Sequence, residues 1–408
     1  MERLSYPKHK IKILLLEGVH INALNSLEKE GFDVELLSTS LDEDELCERI
    51  KGVSILGIRS KTHVTKKVLE HADRLMAIGA FCIGTNQIDL AESTKKGIAV
   101  FNAPYSNTRS VVELAIAEII MLMRNLPDKI RNMHEGIWDK SATNSFEIRG
   151  KNLGIIGYGN IGSQLSIVAE AMGMQVYYYD LEEKLALGNA TPCNSLKELL
   201  SISDIISIHV DGRKENTNMI SNKEFEKMKD GVIFINLGRG HVVDIPSLKK
   251  HIDSGKIRGT AIDVYPKEPK SNNEPFESEL VGSPNTILTP HIGGSTLEAQ
   301  VNIGAFVPNN LIKFINTGNT AGSVNFPQLQ LPVLENGHRL IHIHRNTPGL
   351  LAQLNIILAS KEINILGQYL KTNETIGYVI TDIDKEYPSN LLEKMKAIDG
   401  TIRVRVLF

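Results

Sequence analysis

From Ile11 onward, short apolar runs alternate with longer segments in which apolar residues return every three or four positions. The first kind suits buried strands and the second suits amphipathic helices. ILLL from Ile13, VELL from Val34, VSILGI from Val53, LMAIG from Leu75 and IAVF from Ile98 are the strand candidates. Between them lie helical segments near Ile21 to Glu30, Asp42 to Lys51, Thr65 to His71 and Asp89 to Lys96. Such alternation predicts an open parallel sheet covered by helices.

A second α/β block starts at Gly150. After its first strand-helix-strand unit, DIISIHV, VIFINLG, TAIDVY and TILTP supply further strands, with helices near Ser195 to Leu200, Asn222 to Met228 and Asp244 to Ser254. The segment SNTRSVVELAIAEIIMLMRNLP between the blocks is apolar on all sides of a helix, which predicts burial; Ser106 or Asn107 can cap it. Residues from Ser295 to about Asn316 read as a helix returning to the first block, and NTGNTAGSVNFPQLQLP after it has linker composition. From Leu331, HRLIHIH, a helix over Pro348 to Lys361, INILGQYL, IGYVITDI, a helix over Ser389 to Ala397 and IRVRVLF give β-α-β-β-α-β, the ferredoxin-like order, as a small self-contained block. The expected domains are 1–105 with 295–330, 106–294 and 331–408.

Only the second block carries a glycine fingerprint. Gly157, Gly159 and Gly162 follow the run Leu153 to Ile156, a helix follows the glycines, and the next strand ends in Asp180. Strand, G-x-G-x-x-G, helix, strand and acid together specify a dinucleotide site, with the pyrophosphate on the helix N-terminus. An acid about 20 residues past the glycines accepts hydrogen bonds from ribose hydroxyls and repels a 2'-phosphate. The expected cofactor is therefore NAD.

Length and composition narrow the rest. The 408 residues exceed one ordinary core, which predicts two or three domains. With 45 Lys plus Arg against 48 Asp plus Glu, the net charge of -3 gives no general attraction to nucleic acid or an anionic membrane. MERLSYPKHK followed by a strand-length apolar run is unlike a signal peptide. Cys47, Cys82 and Cys193 are widely separated and odd in number, which predicts neither a disulfide framework nor a metal site, and fits the cytoplasm.

Three residues leave the second sheet at strand ends: Arg239 in INLGRG, Glu268 in AIDVYPKEP and His291 in LTPHIGG. Ligands of open α/β sheets bind outside the carboxyl ends of strands. Arg239 offers a planar fork for a carboxylate, His291 a base for a hydroxyl proton, and Glu268 a partner for that imidazole. Each also has a plain reading: a surface charge, a solvated acid, a cap on Gly293-Gly294.

The motifs GYGNIG, INLGRG, AIDVYPKEP and TPHIGGST together resemble the D-isomer-specific 2-hydroxyacid dehydrogenase family. The resemblance implies that Arg239, Glu268 and His291 carry catalysis. It also implies that Gly157, Gly159, Asn160, Ile161, Gly162, Asp180, His209, Leu237, Gly238, Arg239, Asp263, His291, Gly293 and Gly294 line the NAD cleft. RSKTHVT, IGAFCIGTNQIDL, FNAPYSNTRSVVEL and the C-terminal block extend it to members that oxidise 3-phospho-D-glycerate to 3-phosphohydroxypyruvate, the first step of L-serine synthesis. Arg59, Ser60, Lys61, Asn107 and Gln300 are then the implied substrate ligands, although Arg59 and Lys61 read equally as a solvated strand end. Leu237-Gly238 and the loop after His209 depart from the family's usual residues.

The last block resembles an ACT domain, which implies an L-serine effector held by His344, Asn346 and Asn364 and assembly into a homotetramer. Without the family, His344 reads as a packed strand residue. Two other functions remain open on these residues: a dehydrogenase for another acid such as 2-hydroxyglutarate, and an NAD-sensing binding protein.

Overall fold

Every strand-length apolar run becomes a strand, and their order defines two parallel sheets and one antiparallel sheet. The computed structural model describes residues 7–269, 273–334, 337–384 and 390–407. MERLSY, Lys270 to Asn272 of the loop holding Glu268, the Ser389 start of the last helix and Phe408 lie outside the described residues.

β1 (Lys12–Leu15), β2 (Asp33–Leu36), β3 (Ile55–Ile58), β4 (Ala77–Ala80) and β5 (Ala99–Phe101) form the first sheet in the order β2-β1-β3-β4-β5, all parallel. That is the flavodoxin-like order, whose switch point lies between β1 and β3. The helix Glu43–Arg49 starts with a capping box, in which Asp42 and Glu45 each accept from the other's backbone.

β6 (Asn152–Ile156), β7 (Gln175–Tyr179), β8 (Thr191–Pro192), β9 (Ile205–Ile208), β10 (Val232–Asn236), β11 (Ile257–Ile262) and β12 (Thr286–Leu288) form the second sheet. Its order is β12-β11-β10-β9-β6-β7-β8, again parallel, with the switch point between β6 and β9. The two-residue β8 has no apolar run and was not expected from sequence. Buried on both faces, β9 and β10 are Ile, Val and Phe apart from Ser207 and Asn236.

The helix Thr108–Met123 differs from its prediction. Arg109, Glu113 and Ala117 form an exposed stripe one turn apart, with Arg109 and Glu113 paired at 2.6 Å, while the other faces bury Val112, Ile119 and Leu122. Asn107 takes the N-cap position without a side-chain cap bond. The helix stops because Asn125 turns left-handed at φ 52°, and a helix missed from sequence, Leu126–His134, begins with Pro127 in its first turn.

The antiparallel sheet comprises β13 (His338–Arg345), β14 (Ile365–Thr372), β15 (Ile376–Ile383) and β16 (Thr401–Leu407), ordered β14-β15-β13-β16 as a ferredoxin-like fold requires. One face packs on the helices Leu350–Ala359 and Asn390–Lys396 through Leu354, Leu358 and Met395. The other face is not self-contained. Ile341, Ile343, Tyr378 and Leu407 share one core with Ile13, Phe101 and Phe314 of the first sheet and its helices.

The stretch with linker composition is likewise packed. Val324 donates to the Val100 carbonyl, and the Asn325 side chain accepts from Val100 N–H while donating to Ile98 O and Thr94 Oγ1. Polar residues serve there as edge partners for β5. Residues 1–106 with 300–408 make one compact unit and 107–299 another, the second boundary falling within the helix Leu297–Thr317.

Candidate active site

In the unit formed by 107–299, β6 ends just before Gly157 and the helix Asn160–Ala171 starts directly after Gly159. Any side chain at Gly162 would collide with the Gly157 carbonyl, so only glycine lets the helix sit this close to the turn. At Gly159, by contrast, an added Cβ would meet nothing within 4 Å. The N-cap of this helix is Gly159 itself, which has no side chain to cap it. A twelve-residue helix with an uncapped N-terminus beside an open glycine fits a pyrophosphate. Asn160 and Ile161 form its first turn.

Asp180 directly follows β7 beside the same turn. Its Oδ2 accepts from Tyr158 N–H at 2.8 Å and its Oδ1 from Glu182 N–H at 3.1 Å, which fixes the carboxylate and leaves lone pairs for ribose hydroxyls. His209 directly follows β9 across the switch point. Its Nε2 pairs with Ser207 Oγ at 2.9 Å, and its Nδ1 is shielded without a partner among the described residues. The residue is half-buried overall, yet its ring nitrogens are enclosed, and burial pushes it down to about 4, leaving a neutral ring.

Arg239 follows β10 in a turn built by a residue that sequence reasoning missed. The buried Asn236 side chain accepts from Gly238 N–H and donates to the Arg239 carbonyl, both at 3.1 Å. Leu237 is buried, and Arg239 Nη1 donates to the Gly238 carbonyl at 2.8 Å. A Cβ at Gly240 would overlap the Tyr265 backbone, so this glycine sets the Arg239 turn against the segment leading to Glu268.

Glu268 and His291 meet. His291 Nδ1 lies 2.9 Å from Glu268 Oε2, while Glu268 Oε1 accepts from Tyr265 N–H at 3.1 Å. A carboxylate only accepts, so Nδ1 carries the proton and Nε2 is left as the base. The hydrogen bond to Glu268 raises the His291 pKa above its ordinary value; burial and Arg239 oppose this, and the charges of Glu268 and Asp263 add to it. Burial would raise Glu268, but His291, the Tyr265 amide and Arg239 together hold it below its ordinary value.

Asp263 underlies this pair. Its buried carboxylate accepts from Thr289 Oγ1 at 2.6 Å and from Ile292 and Gly293 N–H at 2.8 Å each. Those bonds define the turn that carries His291, which sits at φ 54°. Gly294 adjoins the Asn107 side chain, whose Oδ1 is buried with no partner among the described residues. Glu118, another residue missed, is buried on the helix Thr108–Met123; burial and then the Asp263 charge push it up to about 8.

In the other unit, Arg59, Ser60 and Lys61 leave the carboxyl end of β3, and Gln300 lies in the early part of the helix Leu297–Thr317. The three effector candidates separate. His344 is buried at the end of β13, with Nδ1 2.7 Å from the Arg345 carbonyl, and exposed Asn346 donates to the Asn373 carbonyl at 2.8 Å. Asn364 precedes β14, beside Asp384, at the opposite end of β15. Eight residues of β15 separate the two asparagines, roughly 25 Å at about 3.3 Å per residue. One chain therefore does not bring all three together.

Residues 116–293 match the family described as D-isomer specific 2-hydroxyacid dehydrogenase, NAD binding domain, and residues 340–403 match an AHAS small subunit-like ACT domain. The D-3-phosphoglycerate dehydrogenase of Dictyostelium discoideum is 52% identical over 404 residues, 99% of each chain. That of Escherichia coli strain K12 is 51% identical over 411 residues, 100% of each. Among solved structures, the D-lactate dehydrogenase of Aquifex aeolicus complexed with NAD and lactic acid is 26% identical, covering 78% of this chain and 100% of that one at a TM-score of 0.67. The fingerprint, the His291–Glu268 pair and these full-length likenesses agree: the chain belongs to the D-3-phosphoglycerate dehydrogenases, NAD-dependent oxidoreductases of the D-isomer-specific 2-hydroxyacid dehydrogenase family.

Proposed function

We propose that this chain oxidises the C2 hydroxyl of 3-phospho-D-glycerate to give 3-phosphohydroxypyruvate, and that Arg239, Glu268 and His291 carry the reaction. The observation behind it is the 2.9 Å His291–Glu268 bond in the same unit as the dinucleotide fingerprint. When bound, NAD supplies the hydride acceptor. Arg239 clamps the C1 carboxylate bidentately and orients C2. His291 Nε2 takes the hydroxyl proton as the C2 hydrogen leaves with its electron pair, and Glu268 stabilises the imidazolium that results. Gly157, Gly159, Asn160, Ile161 and Gly162 cradle the pyrophosphate, while Asp180 holds the adenosine ribose. His209, Leu237, Gly238, Asp263, Gly293 and Gly294 line the rest of the cleft. Arg59, Ser60, Lys61, Asn107 and Gln300 serve the anionic ends of the substrate.

The regulatory reading is that L-serine binds through His344, Asn346 and Asn364. Since one chain separates Asn346 from Asn364, a second copy completes the site, which supports pairing of identical chains; the homotetramer is what the family resemblance implies. Three widely separated cysteines, odd in number, support a cytoplasmic setting.

The test is NADH oxidation with 3-phosphohydroxypyruvate, run also with 2-oxoglutarate and with L-serine added. Turnover on the phosphorylated acid, suppressed by serine, supports the reading. Turnover on 2-oxoglutarate alone replaces the substrate, and NADH binding without turnover makes the chain a binding protein.

A further inference from the structure

Glu17 is a charged residue directly after an all-apolar strand run, and the catalytic reading has no use for it. It is 9% exposed and adopts φ 63°, a left-handed conformation that a non-glycine residue keeps only where its surroundings enforce it. The enforcement is visible. Glu17 N–H donates to the Thr39 carbonyl, and its carboxylate reaches across to the segment after β3. Oε1 accepts from Arg59 N–H at 3.0 Å and from Thr62 N–H at 2.9 Å, while Oε2 accepts from Lys61 N–H at 2.9 Å. On the far side of that segment, buried Gln87 donates to the Arg59 carbonyl at 2.6 Å.

Glu17 follows β1 and Arg59 follows β3, the two strands that flank the switch point where ligands of such sheets bind. A turn of successive amides at that place would itself attract an anion. Here a protein carboxylate consumes three of the amides, so recognition of an anionic substrate falls to side chains. The Ser60 N–H is not one of those Glu17 holds. Among the described residues, neither the Arg59 guanidinium nor the Lys61 ammonium forms an ion pair, so both remain available for a ligand.

We propose that Glu17 is a positioning residue for the substrate: its carboxylate clamps the Arg59–Thr62 backbone so that Arg59 and Lys61 present their charges to an anionic end of the hydroxy acid. This rests on the substrate reading above, and the experiment separates the two. Glu17→Gln keeps the shape and removes the charge, and Glu17→Asp keeps the charge one methylene short. For Glu17→Gln the KM for 3-phosphohydroxypyruvate rises by about tenfold or more, as loss of a charged acceptor predicts, while kcat changes by less than about threefold. Glu17→Asp falls between it and the wild type. NADH affinity does not move. Hydrogen exchange at the Arg59, Lys61 and Thr62 amides accelerates, and in an Arg59→Ala background the substitution adds little to KM.

An unchanged KM with unchanged exchange overturns the proposal, as does a loss confined to thermal stability. If Glu17→Gln does not fold, Glu17→Asp decides by the same readouts. Failure of the wild type to turn over 3-phosphohydroxypyruvate overturns the substrate reading instead, and amide exchange still reports on the clamp.

Discussion

His291 and Glu268, 23 residues apart in sequence, are joined by a 2.9 Å hydrogen bond in which the carboxylate fixes the tautomer of the imidazole. The consequence is a pH dependence of known sign. The His291 pKa is raised, chiefly by that bond, so its protonated form persists above the ordinary value near 6.5. With His291 as the proposed acid and base, reduction of the keto acid needs it protonated and is lost as pH rises through the raised pKa; oxidation needs it neutral and grows over the same range. Glu268, held low, sets the acid limit, because the pair breaks when pH falls through its lowered pKa. In Glu268→Gln the falling limb of the reduction profile moves to lower pH and kcat drops by about 10–100-fold. A limb that stays in place means another group titrates.

The same pair depends on Asp263, which accepts one hydroxyl and two amide donors from residues 289 to 293. Asp263→Asn replaces an acceptor with a group that must present donors to donors. Charged hydrogen bonds are worth about 1.5–3 kcal/mol each when made, and losing their buried acceptor lowers stability by about that much. Thermal unfolding should therefore show a clear drop in Tm. The kcat should fall beyond what the stability loss explains, because the turn aiming His291 relaxes. A normal kcat in the folded variant removes Asp263 from the catalytic support.

Much of this was legible in sequence because the relevant signals are local. A strand, three glycines, a helix and an acid fall within thirty residues, and the period of apolar positions changes visibly between strands and helices. What stayed hidden depends on distance. Nothing around Glu17 announces that its carboxylate will hold amides more than 40 positions away. Asn236 looks like one more residue in VIFINLG until its side chain is seen bridging Gly238 and Arg239. The segment 316–332 misled because Asn, Gly and Pro suit a linker, yet polar side chains can equally pair the open edge of β5. The exposed stripe on Thr108–Met123 consists of only Arg109, Glu113 and Ala117, too narrow to offset the apolar content of the helix.

On the proposed reading cofactor choice rests on Asp180, both of whose oxygens are already oriented by backbone amides of Tyr158 and Glu182. Asp180→Ala removes the acceptor for the ribose hydroxyls and the repulsion of a 2'-phosphate at once. The KM for NAD should rise by about tenfold while the preference over NADP narrows, because one hydrogen-bonded charge is worth about 1.5–3 kcal/mol. Steady-state kinetics with both cofactors measure the ratio; an unchanged ratio would place the discrimination elsewhere.

The distance between Asn346 and Asn364 leads to a test that a single variant cannot give. The two residues stand at opposite ends of the eight-residue β15, so an effector that touches both must bridge two chains. In an assembly of identical Asn346→Ala chains every site lacks one ligand, and the same is true of Asn364→Ala. Mix the two variants, and a site formed by the Asn364 of one chain and the Asn346 of the other is intact, while its twin lacks both. Refolded mixtures should therefore regain inhibition at serine concentrations near those of the wild type, with an amplitude limited by the fraction of hybrid interfaces. Mixtures no more sensitive than either parent would mean that Asn364 does not share a site with Asn346, and the effector assignment would reduce to His344 and Asn346.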